Sequence, residues 1–241
     1  MKLVILSAGK GIRLRPLTNK IPKCLIKVSN KAILKHQLDL FIKYNQIEEI
    51  LIIVGYKAEL IRDYIKSHYN SNPKIKLLVN KNYNTTNNMY SLYLAKDYIN
   101  KSFLLMNGDV ILEKEIINSF IEFPFKDAIA VDIGTYNKES MKVIQKDKYL
   151  VDISKKINKK DALGCSIDFY KFSEKGKNLL FDKIKQFIKI KNEKNLWTEV
   201  AIQSLFRNNE LKMKAYDIKD KTWIEIDNLK DLRTANKLFS S

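Results

Sequence analysis

Two glycines, Gly9 and Gly11, follow almost directly on the apolar run Leu3 to Leu6, and Arg13, Arg15, Lys20 and Lys23 come next. A buried strand that empties into glycine lets backbone N–H groups close on an anion where a Cβ would collide. Close backbone followed by clustered cations suits a nucleoside triphosphate; the plainer use of the same residues is a basic surface loop. The spacing excludes two common phosphate loops. No Lys-Ser or Lys-Thr follows a second glycine, as a P-loop requires, and the third glycine of the dinucleotide fingerprint is missing.

Carboxylates form the second group. Asp109 ends the apolar run LLMNGD, where it can hold a hard divalent cation against phosphate oxygens or cap a helix that Glu113 and Glu115 would open. In Trp223-Ile-Glu-Ile-Asp227 the strand period places Glu225 and Asp227 on one side; the alternative is a polar strand face with Asp227 capping the following helix. The histidines, His36 and His68, fall on predicted helices, and neither Cys24 nor Cys165 has a histidine suited to activating it. That pattern favours a nucleophile needing no general base, such as a phosphate monoester, whose second pKa is about 6. Asn and Ser crowd the stretch 80–94. Their side chains match the donor and acceptor edge of a pyrimidine, and the same residues would also arise from coding bias.

These groups need strands to carry them. Lys2–Leu6, Glu49–Val54, Lys76–Val79 and Phe103–Met106 read as buried strands, separated by helices over Ala32–Tyr44, Lys57–Tyr69 and Met89–Tyr98. Strands separated by helices imply an α/β fold: a Rossmann-like, mostly parallel mixed sheet with helices on both faces. Its ligands would lie beyond the strand C-termini. The second half reads as strands over Asp127–Ile133, a hairpin over Met141–Ile153, and a strand over Ala162–Phe172. Helices over Ser173–Ile190 and Trp197–Arg207 follow, then strands over Met213–Tyr216 and Trp223–Ile226 and a helix over Leu229–Leu238. With no repeat and no Pro/Gly-rich linker, residues 1–241 are expected to form a single domain, the N-terminal half binding nucleotide and the C-terminal half the acceptor.

The chain of 241 residues is 45% hydrophobic, enough for a substantial core. No apolar stretch reaches the ~20 residues of a membrane helix, and two cysteines without metal-ligand spacing suggest no disulfide framework or zinc site. A cytoplasmic location is expected, with no membrane partner. The net charge of +17 raises the question of nucleic acid. However, 39 lysines against five arginines, spread along the whole chain, look like coding bias filling solvated faces, and no nucleic-acid partner is expected. A positive field would still attract triphosphates and phosphorylated acceptors.

The string G-x-G-x-R-L-x-P-L-T followed by P-K-x-L, residues 9–25, resembles the opening of nucleotidyltransferases of the sugar-1-phosphate and phosphocholine type. NNMYSLYLA, residues 87–95, is similar to a loop of phosphocholine and phosphonate cytidylyltransferases. The resemblance covers nearly the full length and is loose over 127–215; Lys10 departs from the small or apolar residue usual there. It implies that Arg13 engages the triphosphate and Lys23 the reacting phosphates, with Ala8, Gly9 and Gly11 forming the phosphate loop. Tyr83, Asn88 and Ser91 would contact the nucleotide, and Asp109, Asp227 and Glu225 would bind Mg²⁺. The implied reaction joins CTP to a small phosphorylated or phosphonate acceptor, such as phosphocholine, 2-aminoethylphosphonate or a phosphoglutamine, and releases pyrophosphate, for surface glycan or lipid decoration. Rings from Tyr170, Trp197 and Trp223 and charge from Asp168 and Glu199 are the acceptor-side candidates. A sugar-1-phosphate nucleotidyltransferase using UTP or dTTP is the rival enzyme, and a catalytically silent nucleotide-binding regulatory subunit the rival of another class. A homodimer is left open.

Overall fold

A computed structural model describes residues 1–240 of the chain. β1 (Lys2–Ser7), β2 (Glu49–Val54), β3 (Ile75–Val79) and β4 (Phe103–Asn107) pair in parallel in the order β4-β1-β2-β3. The central strands are apolar on both faces because both are covered. Leu3 and Ile5 of β1 pack with α1 (Ile33–Phe41), α2 (Ala58–Tyr69) and α4 (Lys114–Glu122), while Val4 and Leu6 face α3 (Asn88–Leu94), α5 (Glu174–Lys185) and α6 (Thr198–Arg207). Leu34, Leu38 and Phe41, the predicted apolar face of α1, are all fully buried.

The second half adds antiparallel strands to the β4 edge. β9 (Gly164–Phe172) runs antiparallel to β4 and pairs with β6 (Ala128–Ile133) and β7 (Lys142–Lys146). β7 turns at Asp147 and Lys148, both at positive φ, into β8 (Tyr149–Ser154), and β10 (Lys214–Asp217) pairs in parallel with β6. The result is a mixed nine-stranded sheet with helices on both faces, the Rossmann-like architecture expected. The helix read as 89–98 is shorter, giving way to a 3₁₀ turn at Lys96–Tyr98, and the one read as 173–190 ends in a π turn at Gln186–Ile190. Two short ladders were not anticipated: Lys27–Val28 pairs antiparallel with Lys31–Ala32, and β5 (Val110–Leu112) leaves the large sheet and pairs antiparallel with β11 (Trp223–Glu225), just ahead of α7 (Leu229–Leu238).

Candidate active site

The loop after β1 is folded back on itself by named bonds. Gly11 sits at φ 60°, a left-handed conformation that favours glycine, and a Cβ there would lie 3.0 Å from Lys23 Cβ. The Thr18 hydroxyl donates to the Gly11 carbonyl at 2.9 Å. From the loop after β2, the Tyr56 amide donates to the Ala8 carbonyl and its hydroxyl to the Thr18 carbonyl. Lys23 is thereby held directly behind Gly11.

The acidic side comes together through the small ladder. Gly108, whose amide donates to the Leu6 carbonyl, has no room for a side chain, since a Cβ would clash with Ser7 Oγ. The buried Gln37 amide of α1 donates to the Asn107 and Val110 carbonyls, fixing the turn that carries Asp109. Across the ladder Glu225 pairs with Val110, and the Ile226 amide donates to the Asp109 carbonyl at 3.0 Å. Neither aspartate caps a helix. Glu113 stands at the start of α4, and Asn228 caps α7 in a reciprocal box with Asp231. The Asp109 and Asp227 carboxylates are free for other work.

Their partners are the two basic residues singled out in the loop. Lys23 Nζ donates to Asp109 Oδ2 at 2.6 Å and to Asp227 Oδ1 at 2.7 Å, and Arg13 lies 2.7 Å from Asp227 Oδ2. Burial opposes the charge on Lys23, but attraction to Asp109 and Asp227 outweighs it and raises the ammonium's pKa above the lysine range. Burial alone would raise Asp227; Lys23 and Arg13 instead pull it below the usual carboxylate range. Glu225 goes the other way, driven well up by burial and by Asp168, Asp109 and Asp227. One oxygen each from Asp109, Glu225 and Asp227 lies within 4.8 Å of the others, and Asp109 Oδ1 is buried with no hydrogen-bond partner among the described residues. Hard divalent cations take oxygen ligands at such sites, so this set fits one.

Beside this cluster opens a cavity of about 260 Å³ lined by Ala8, Gly9, Arg13, Tyr83, Asn88, Ser91, Asp109, Asp168, Trp197, Glu199, Glu225 and Asp227 among others; Gly11 and Lys23 line an adjoining one of about 300 Å³. Asp168 enters from a bulge in β9, between Ser166 and Tyr170, at φ 57°. Left-handed backbone at a non-glycine residue costs of order 1 kcal/mol, here offset by the Asn107 amide donating to Oδ2 at 2.9 Å and the Tyr170 hydroxyl donating to Oδ1 at 3.0 Å. Tyr170 Oη also lies 2.9 Å from Glu199 Oε1. Burial and the neighbouring Glu199 push Asp168 up to about 7, and burial raises Glu199 as well.

Two ring candidates are corrected. Tyr170 is 1% exposed, its ring stacked in the core against Phe172; it reaches the cavity only through Asp168 and Glu199. Trp223 is turned away, its Nε1 donating to Asp132. Trp197 does line the cavity, with Lys155 Nζ 5.0 Å from its ring centroid. On the nucleotide side Tyr83 packs edge-on to Tyr56, whereas Asn88 accepts from the Thr198 amide at the start of α6 and the buried Ser91 accepts from Asn80. Both line the cavity, Asn88 with its Nδ2 and Ser91 with its hydroxyl hydrogen still to donate, and Asn80 joins them at the wall. Lys155 and Asn107 were missed as well. Lys155 has no local signal among so many lysines, while Asn107, two residues ahead of Asp109 in MNGD, could have been noticed.

The family model for nucleotidyl transferases matches residues 2–240. The bifunctional protein GlmU of Methanocaldococcus jannaschii is 31% identical over 219 residues, 83% of this chain and 51% of that protein. The choline-phosphate cytidylyltransferase of Streptococcus pneumoniae is 42% identical over 105 residues, 44% of this chain and 43% of that one. The chain spans about half the length of these curated relatives. Among solved structures, UDP-glucose pyrophosphorylase complexed with UDP-glucose superposes with a TM-score of 0.76 over 99% of this chain and 97% of that one, at 16% identity. Sequence across residues 2–240 and fold agree: the chain belongs to the nucleotidyl transferase family.

Proposed function

We propose that this chain is a Mg²⁺-dependent cytidylyltransferase whose acceptor carries a phosphate or phosphonate at one end and a cation at the other. The observation that carries the acceptor is the charge of the cavity wall. Asp168 and Glu199 are buried side by side, and their side-chain hydrogen bonds are to the neutral Asn107 and Tyr170. A cationic headgroup would supply the charge these carboxylates lack, with the Trp197 face beside it.

The remaining residues follow from position. Arg13 and the amides of the loop at residues 8–11 hold the triphosphate, and Tyr83 and Asn80 border the base. Lys155, at the rim between Trp197 and the acidic cluster, directs the acceptor's phosphate. An oxygen of that phosphate attacks the α-phosphorus in line, the bond to the β-phosphate oxygen breaks, and pyrophosphate leaves. Lys23 offsets the charge that develops on the α-phosphate. Mg²⁺, held by Asp109 and Asp227 with Glu225 as third ligand, would neutralise triphosphate oxygens. No residue is needed to remove a proton, because the attacking group is already anionic.

The comparisons taken alone lean toward a second reading, a sugar-1-phosphate nucleotidyltransferase using UTP or dTTP. In sequence the choline-phosphate enzyme is matched over 44% of the chain and GlmU over 83%, while the fold is shared with UDP-glucose pyrophosphorylase over 99% of the chain and with a CTP:phosphocholine cytidylyltransferase over 98%. Pyrophosphate release separates the readings when CTP, UTP, dTTP, ATP and GTP are crossed with phosphocholine, 2-aminoethylphosphonate, phosphoglutamine and glucose 1-phosphate. Release with CTP and a cationic acceptor supports the first. Release with glucose 1-phosphate and UTP or dTTP establishes the second. CTP bound without release across the grid points to a regulatory subunit.

A further inference from the structure

Three of the four carboxylate oxygens of Asp109 and Asp227 are taken by side chains of the chain itself. Lys23 Nζ bridges Asp109 Oδ2 and Asp227 Oδ1 at 2.6 and 2.7 Å, and Arg13 holds Asp227 Oδ2 at 2.7 Å. Arg13 also reaches toward Glu139, 4.0 Å away on the opposite lip of the cavity. The oxygen left over is Asp109 Oδ1, buried and unpartnered. These two aspartates are the divalent-cation ligands of the proposed function, and the inference rests on that assignment. Lys23 and Arg13 are likewise the cations that the triphosphate needs.

We propose that Lys23 is a resident cation of the metal site, so that metal ion and ammonium exclude each other and the ion enters only together with the triphosphate that draws Lys23 and Arg13 away. Geometry carries the exclusion. Mg²⁺ binds oxygens at about 2.0–2.1 Å; with Lys23 and Arg13 on three of the four aspartate oxygens, Asp109 Oδ1 alone of the four stays open, and both aspartate charges are already balanced. Phosphate oxygens give both basic residues new partners, which frees the carboxylates without stranding any charge. Metal and nucleotide are therefore coupled through one lysine, and the coupling is reciprocal. An ion arriving alone must break two charge-assisted hydrogen bonds; one arriving with phosphate exchanges them.

The test is Mn²⁺ binding to nucleotide-free protein, followed by the paramagnetic resonance of the free ion, in wild type, Lys23→Met and Lys155→Met. Lys155 lines the same cavity and acts on Asp227 through space without a bond to it, so it controls for a general loss of positive charge. Lys23→Met is expected to bind Mn²⁺ about tenfold tighter than wild type, an ordinary size for coupling between sites, and Lys155→Met to change far less. Equal affinity in wild type and Lys23→Met, or an equal gain in Lys155→Met, overturns the proposal. No Mn²⁺ binding by any of the three overturns the metal assignment itself. A second measurement avoids a destabilised variant. In wild type labelled with ¹⁵N-lysine, the Lys23 ammonium signal, identified by its absence from Lys23→Arg, should be unmoved by Mg²⁺ alone and shift when CTP is added with it. A shift with Mg²⁺ alone overturns the proposal.

Discussion

The two ends of the cavity handle negative charge in opposite ways. At the loop end, Asp109 and Asp227 are paired with Lys23 and Arg13, and Asp227 is held below the usual carboxylate range. At the far end, Asp168 and Glu199 share neutral donors, and both are pushed up. Partners, rather than burial, make the difference, since desolvation acts upward on Asp227 as it does on Asp168 and Glu199. The paired end carries its own counter-charges, whereas the far end holds its two acids by hydrogen bonds from neutral donors.

Breaking the paired end should have the largest effect. Lys23→Ala is expected to lower kcat about a thousandfold, the scale of losing a donor aimed at a developing anion, with the circular dichroism spectrum unchanged. A wild-type rate would remove Lys23 from the reaction. Asp227→Asn comes next. It should raise the Mg²⁺ concentration for half-maximal rate about tenfold or more, because a neutral amide is a poor ligand for a hard cation; an unchanged metal titration would break the assignment.

At the unpaired end the effect is smaller and falls on one substrate. Glu199→Gln should raise the acceptor KM about tenfold, the worth of a hydrogen bond to a charged group, and leave the CTP KM unchanged. A variant that binds its acceptor normally would favour a neutral sugar there. The last effect falls on stability rather than on rate. The unfolded chain releases the Asp168 proton near 4, and the folded chain keeps it up to about 7. The stability this group contributes is full below about 4 and is lost as pH rises to about 7. Melting curves of Asp168→Asn should therefore gain on wild type between pH 4 and pH 8; a pH-independent difference would show Asp168 ionised throughout.

Much of this was legible in the residues. The parallel strands follow from continuous apolar runs and their helices from a period of 3.6, and the proposed phosphate loop from Gly9, Gly11 and the basic residues that follow. Asp109 stood out as a carboxylate ending an apolar run, and Asp227 through the strand period it shares with Glu225. What escaped depends on contacts between distant segments. Val110–Leu112 is too short to read as a strand until Trp223–Glu225 lies beside it. The cavity-facing turn of Asp168 comes from a bulge that only the mismatch between β9 and β6 creates. Tyr170 looked like a cage wall, yet its neighbours bury the ring and leave the hydroxyl to hold two acids. Lys155 is one lysine of 39 and acquires meaning from Trp197 beneath it.

The short ladder between β5 and β11 also divides the molecule along the chain. All nine strands of the large sheet are complete at Asp217, whereas Glu225 and Asp227 come after them. A variant truncated after Asp217 would keep every strand of that sheet and leave Asp109 as the one member of the acidic cluster opposite Lys23. The scaffold and the acidic cluster are thereby separable by truncation, the second resting on a three-residue strand.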